Sequence, residues 1–321
     1  MARAVKDATT PGILLVDKPQ GITSHDVVQR ARRALGTRKV GHAGTLDPMA
    51  TGLLILGAEW ATRLLTFIVG LDKTYEATIR LGVTTDSDDA DGVETSRVDA
   101  SALAAIEDAQ ILAGIAALTG AISQVPSTVS AIKIDGRRAH ALVRAGETVE
   151  LKARDVTVSR FDVLEIRRDH GVLDLDVIVD CTSGTYIRAL ARDLGAGLGV
   201  GGHLTALRRT HIGTFDVADA VGVDEIDPSA LRNPALVAAE VQGRLDVSHE
   251  EASDLWVGKR IPGRAAELSG ETAAAIDPDG RLVGIVERRG DAVKSRMNVP
   301  PPPTPPRARH REPHPTQEEQ Q

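Results

Sequence analysis

Apolar residues are arranged in three ways along the chain, and each arrangement predicts an element. Unbroken runs, Ile13–Val16 in "GILLVDKPQG" and the "GLLILG" segment at 52–57, read as short buried strands. Strict alternation marks two more. Tyr75, Ala77, Ile79 and Leu81 share one face of "KTYEATIRLG", and Leu173, Leu175, Val177, Val179 and Cys181 share one face of "VLDLDVIVDC". Helical spacing gives the third kind. "TSHDVVQRARRALG" carries the stripe Val27, Val28, Ala31 and Leu35, with Ser24 as the predicted N-cap and Gly36 as the stop. "AEWATRLLTFIVG" and "DASALAAIEDAQILAGIAALTG" are also predicted helical. A further helix is predicted to open after Ser183, with Ile187, Leu190, Ala191 and Leu194 on its stripe.

The intervals between strands are irregular and do not force a doubly wound parallel sheet. The expected class is α+β, with a central mixed or antiparallel sheet flanked by helices. Residues 123–154 carry Pro126 and many basic residues with little period, and read as an insertion in a first domain spanning 1–239. From about 240 short strands joined by a "DPDG" turn predict a small β-rich domain, 240–298. The proline-rich end, 299–321, cannot supply a core and is expected to be disordered.

Composition narrows the function. The 321 residues include a single cysteine, Cys181, which excludes an internal disulfide and a thiolate metal cluster and fits a reducing cytoplasm. No apolar run approaches the ~18–20 residues of a membrane span. "MARAVKDATT" lacks the apolar core of a secretion signal. The net charge of −7 argues against a generally basic nucleic-acid binder. Basic residues nevertheless cluster at 30–42, 133–147 and 207–211, while acid gathers at 85–94 and 216–254. A polyanion on one face and an ordinary charged surface are equal readings of that pattern. Aromatic residues make up 2% of the chain, so each needs a reason, and stacking on bases is one.

Glycine-rich "GHAGTLDPMATG" (41–52) lacks the Gly-Lys-Ser/Thr ending of a phosphate loop, and no G-x-G-x-x-G is present. In "SDDADG", placing Gly92 at the sixth position of a calcium loop puts Val98 where the bidentate glutamate belongs, so that turn is expected to be a solvated loop. No paired histidines support a metal. Ser183, His42 and Asp47 form a hydrolytic triad only on paper, without a G-x-S-x-G elbow. Asp47 remains, between Leu46 and Pro48. By itself it reads as a turn residue or as a functional carboxylate. In an apolar, glycine-lined loop a carboxylate stays protonated unless a cation lies close, and Arg188 is the expected partner.

"GHAGTLDPMATGLLILGAEWATRLL" resembles, nearly position by position, the catalytic segment of the bacterial tRNA pseudouridine synthase B family, which modifies uridine 55 of the T-loop. "LLVDKPQGITSHDVV", "KTYEATIRLGVTTDSDDADG", "QVPSTVSAIKIDGRRAHALVRAGE", "CTSGTYIRALARDLG" and "GGHLTALRRTHIG" are similar to its other motifs, in the same order, over residues 12–215. The resemblance implies that Asp47 is the catalytic aspartate, that Tyr75 stacks on the flipped uracil, and that Arg188 pairs with the aspartate. It implies that Tyr186 lies beside them, that Leu207 lines the uracil pocket and that His42 helps hold the opened T-loop. Lys18 and Pro19 belong to an opening motif that looks mainly structural, although Lys18 is counted with the substrate-binding set. Val129 and His140 depart from tyrosines common in the family's inserted RNA-gripping segment. Residues 240–298 look like a divergent PUA-type RNA-binding module, through "GKRIPG" and "DPDGRLVGIVE". The implied protein is a cytoplasmic, monomeric isomerase acting on tRNA without cofactor or metal. Its rivals are a non-catalytic RNA-binding or RNA-folding protein on the same scaffold and a guide-RNA-dependent synthase.

Overall fold

The computed structural model describes residues 10–127, 151–169 and 171–301, with the backbone of 133–134 and 137–138. Most of the expected insertion, including Val129 and His140, and nearly all of the expected disordered tail lie outside the described residues. The strands of the first region are β1 (Gly12–Lys18), β2 (Val40–Ala43), β3 (Thr51–Ala58), β4 (Lys73–Leu81), β5 (Val83–Thr85), β6 (Glu94–Arg97) and β7 (Gly120–Gln124). They continue with a short hairpin, β8 (Lys133–Ile134) and β9 (Arg137–Arg138), then β10 (Arg154–Asp169), β11 (Val172–Cys181), β12 (Gly202–Ile212), β13 (Phe215–Asp216) and β14 (Val221–Gly222). A mixed sheet runs β14-β1-β3-β12-β4-β11-β10-β7, with β2 on β3 and β13 on β12. A second sheet follows, β15 (Arg244–Asp246), β16 (Thr272–Ile276), β17 (Leu282–Arg289) and β18 (Ala292–Asn298), in that order. No helix among the described residues is long and apolar enough to cross a membrane.

The two patterns of apolar residues correspond to two environments. β1 and β3 are buried on both faces. Leu14, Val16, Leu54 and Leu56 join the core under helices Ser24–Ala34 and Ile187–Gly197, while Ile13, Leu15, Leu53 and Ile55 pack on the opposite side. There they meet Ala274, Ile276, Leu282 and Ile285 of the second sheet, and Ala235, Val237 and Ala238 of helix Pro234–Gln242. β4 and β11 alternate because only one of their faces is covered. Their other face carries cross-strand polar pairs: Thr74 donates to Asp180 at 2.7 Å, Thr78 donates to Asp176 at 2.7 Å, and Arg80 grips Asp174 through two bonds of 2.7 and 2.8 Å.

Several helix boundaries differ from the sequence-based expectation. Thr23, not Ser24, caps the first helix, accepting from the Asp26 N–H at 3.1 Å, and Ser24 is turned inward and buried. The segment after β3 is a 3-10 turn, Glu59–Leu64, running into one α-turn, Leu65–Ile68, and Gly57 lies close beneath it. The predicted helix near 99–120 is two, Ala100–Ala104 and Asp108–Ala117; Gln110 restarts the second by accepting from the Glu107 N–H at 2.8 Å. The helix after Ser183 begins at Ile187. The "DPDG" turn joins β16 to β17 as expected, with Asp277 accepting from the N–H groups of Asp279 and Arg281.

Candidate active site

The loop between β2 and β3 is held by hydrogen bonds to its backbone. Ser24 Oγ accepts from the Leu46 N–H at 2.8 Å and donates to the Leu46 carbonyl at 3.0 Å. Pro48 O accepts from the Gly21 N–H at 2.9 Å and from Lys18 Nζ at 3.3 Å. Gly44 O accepts from Arg209 Nη2 at 3.1 Å. Leu46, Met49 and Ala50 are anchored in the core, and the Ala50 N–H closes the turn on Asp47 O at 3.1 Å. Asp47 is thus presented by a fixed turn, with about a third of its side chain (36%) open to the cavity in front of it.

That cavity, of ≈ 250 Å³, is bounded by Asp47, Tyr75, Tyr186, Arg188, Leu207, Lys73 and Arg209 together with the loop Ser183–Thr185. Strand register explains the convergence. Tyr75 on β4 lies opposite Val179 on β11 and Arg209 on β12, and Leu207 lies opposite Ala77, two residues farther along the same face. Arg188 comes from the first turn of helix Ile187–Gly197. Its neighbour Tyr186 is fixed at the backbone by the buried side chain of Gln124, which accepts from the Tyr186 N–H at 2.8 Å and donates to its carbonyl at 3.0 Å.

Arg188 is 3% exposed and its guanidinium is divided between two carboxylates. Nη2 lies 2.9 Å from Asp47 Oδ2, and Nη1 lies 3.2 Å from Asp89 Oδ2 while donating to Ser87 O at 2.8 Å. The expected pair is therefore a triad, and the acidic turn is not a solvated loop. Asp89 and Ser87 are buried, Asp89 Oδ1 accepts from Ser87 Oγ and from the Asp91 N–H, and the Leu204 N–H donates to Asp88 O at 3.0 Å. Asp88 takes a positive φ of 61°, a conformation a residue with a side chain adopts only when its surroundings impose it. Gly92 is required here because a Cβ would sit 2.3 Å from Ser87 Oγ.

These neighbours set the protonation of the site. Burial pushes the Asp47 carboxyl above its usual range, and Asp89 adds repulsion; the Arg188 charge and hydrogen bond pull it back down. Burial likewise raises the Tyr75 hydroxyl, with Arg209 opposing. Lys73 is lowered to about 8 by burial and by the nearby Arg209 charge.

Two residues of the expected binding set lie elsewhere. Lys18 is fully buried and donates to the carbonyls of Pro19, Ile22 and Pro48 behind the Asp47 loop; burial lowers it to about 8, against the pull of Asp47. His42 is half-buried on β2, opposite Leu56, away from the cavity wall. The basic stretch 207–211 is not a free patch. Arg208 pairs with Asp17 at 2.8 Å, His211 lies 3.2 Å from Asp216, and Arg209 is 1% exposed. Asp89, Arg209 and Gln124 escaped the sequence reading. The available signal was strand alternation, which sends adjacent Arg208 and Arg209 to opposite faces.

Residues 32–187 match the TruB family pseudouridylate synthase N-terminal domain, 188–235 the tRNA pseudouridylate synthase B C-terminal domain, and 243–300 the tRNA pseudouridine synthase II C-terminal domain. The chain is 56% identical over 291 residues to tRNA pseudouridine synthase B of Leifsonia xyli, covering 90% of this chain and 96% of that protein. It is 54% identical to the namesake from Corynebacterium aurimucosum, covering 87% and 93%. Among solved structures it is similar to a chain of an H/ACA RNP bound to a substrate RNA containing 2′-deoxyuridine, with a TM-score of 0.66 at 24% identity, covering 90% of this chain and 85% of the other. A Cbf5-Nop10-Gar1 complex gives the same score and identity, covering 89% and 84%. At that identity the likeness speaks for the fold alone.

Proposed function

The chain belongs to the TruB family of pseudouridylate synthases, and from that premise we propose that it converts uridine 55 in the T-loop of tRNA to pseudouridine, with Asp47 as the catalytic carboxylate. The observation that carries the reading is the junction of an open carboxylate, a buried arginine and an aromatic wall in one cavity. The curated relatives are named for tRNA, which supports the substrate class.

The reaction breaks the C1′–N1 bond, turns the uracil and joins C1′ to C5. Product and substrate are isomers, so the balance requires no oxidant, reductant or group donor. The target base leaves its stack and enters the cavity. Tyr75 then replaces lost stacking, worth ~1–3 kcal/mol per base, and Leu207 gives the ring an apolar wall. Asp47 acts at C1′, at C6 or on the 2′ proton, and each route requires its ionised form. Arg188 supplies that ionisation and Asp89 orients Arg188. Tyr186, the loop 183–185 and the locally basic surfaces meet the RNA backbone, where phosphate contacts set affinity. Lys18 and His42 act from behind, by shaping the loop that carries Asp47.

In the same reading residues 1–239 form the catalytic domain and 240–298 an RNA-binding module of PUA type. The protein works as a monomer in the cytoplasm. Buried, unpaired Cys181 suits that reducing compartment.

The test is incubation of the protein alone with an unmodified tRNA transcript, followed by carbodiimide and reverse-transcription mapping. A single stop one nucleotide 3′ of position 55 is expected. Modification only on addition of a guide RNA favours the guide-dependent reading. Binding with no modification favours a non-catalytic RNA-folding protein.

A further inference from the structure

Arg209 is the largest fully buried side chain among the described residues. It enters from β12, directly opposite Tyr75 on β4 and beside Gly52 on β3. Its Nε donates to Leu53 O at 2.8 Å and its Nη2 donates to Gly44 O at 3.1 Å. Tyr75 is its direct cross-strand neighbour, and both side chains line the same cavity. Gly44 packs against Arg209, and a Cβ there would be in van der Waals contact with Nη1 at 3.4 Å. These partners are two carbonyls and a phenol, all neutral. Lys73, the neighbouring cation, is likewise spent on carbonyls, those of Val69 and Leu71. A buried cation among neutral acceptors is a poor source of stability.

The three partners share one property. Gly44 opens the loop that carries Asp47, Leu53 lies in the strand that closes it, and Tyr75 is the aromatic wall. A guanidinium is planar and presents its donors at fixed angles, so one group can hold several acceptors in a set relation. We propose that Arg209 is a positioning residue for the reaction: it fixes the Tyr75 ring relative to the Asp47 loop, so that ring and carboxylate meet the same nucleotide. The inference rests on the reading that Asp47 and Tyr75 act on uridine. Ser24, Gly21 and Lys18 hold the far end of the loop, and Arg209 is the hold that also lies directly across from Tyr75.

The chain contains two tyrosines, Tyr75 and Tyr186. Protein labelled at tyrosine ¹³Cζ therefore gives two resonances, and Tyr186→Phe assigns them. Full-length Arg209→Met should move the Tyr75 resonance and leave that of Tyr186 in place. Its single-turnover rate on a tRNA transcript should fall about a hundredfold, the scale of a misplacement near 1 Å, while half-saturation for tRNA stays within about threefold, as expected when the lost contact does not bind substrate. Arg209→Lys, which keeps charge and length, should move the Tyr75 resonance less and recover part of the rate.

A Met variant with an unmoved Tyr75 resonance, or with wild-type rate, overturns the proposal. So does a loss seen wholly in tRNA binding, which makes Arg209 an RNA contact. Should the Met variant fail to fold, a Lys variant identical to wild type in both readouts overturns it alone. Asp47→Asn is assayed alongside. Full activity there removes the underlying reading, whereas an inactive Asn variant beside a fully active Arg209→Met removes only the role of Arg209.

Discussion

The sheet that carries the cavity and the sheet that ends the chain solve burial in opposite ways. The first hides Lys18, Lys73, Asp89, Asp174, Arg188 and Arg209. The second hides, among its described residues, the single charged side chain of Asp277, beneath a core of alanine, valine, leucine and isoleucine. Ions taken out of water seldom improve stability, and apolar replacements of similar volume often do as well or better. All of these but Asp174 gather at one cavity or directly behind its loop, which marks a place where geometry and protonation matter more than stability. The terminal sheet, free of that demand, is an ordinary packed module.

The strongest test of that contrast is Asp47→Asn. Turnover should fall by at least about a thousandfold, within the range for loss of an acid–base or nucleophilic group, while tRNA binding measured by filter retention persists. Arg188→Met comes next. Without its guanidinium the Asp47 carboxyl moves further up, so less of it is ionised at neutral pH and the rate drops. The deficit should shrink as pH rises through the raised value, which a single-turnover pH–rate profile records. The same change strands Asp89, 5% exposed, without its partner. It should lower stability by about 3–5 kcal/mol, the scale of a broken buried pair, read as a drop in melting temperature. Arg188→Lys should fall between, keeping charge but losing the fork that reaches both carboxylates.

A backbone change probes the same region without touching charge. Gly52 has a φ of +100°, and a Cβ there would lie 2.2 Å from Arg209 O where β3 meets β12. Gly52→Ala should cost at least about 2 kcal/mol in urea unfolding, through strain and displacement of β12. The smallest effect belongs to the other sheet. Asp277 bonds its own turn and Arg281, which is about half exposed. Asp277→Asn keeps the turn acceptor but loses the hydrogen bond to Arg281, and should cost about 1–2 kcal/mol, with specific activity unchanged. A large loss of activity there would erase the contrast.

Apolar patterning carried the fold because strands covered twice and strands covered once have different signatures, seen in β1 against β4. Helix ends were less legible: Thr23 and Ser24 are equally good caps in sequence, and only packing against Leu46 turns Ser24 inward. Within the site, Asp47, Tyr75 and Arg188 could be named from motifs. Asp89 could not, because an acid-rich turn looks like solvent-facing charge until an arginine from a helix about 100 residues later closes on it. Arg209 was hidden in a basic cluster, although the alternation that sorted Tyr75 from Glu76 sorts Arg208 from Arg209 as well.

The outer side of β1 has a consequence for synthesis. Ile13 and Leu15 share their cluster with nearby residues such as Leu53, Leu64 and Ile68, but also with residues between 235 and 299. Ile13 also exchanges backbone bonds with Arg232, more than two hundred residues downstream. Contacts of such separation form late and slow folding. A nascent chain therefore leaves the outer side of β1, Ile13 and Leu15, only partly covered until residues 235–299 have been made, an exposure of the kind that chaperones exist to cover. A release of the chain before the terminal sheet would leave that side without the cover of Ala274, Ile276, Leu282 and Ile285. Such a fragment should aggregate rather than persist as a smaller enzyme.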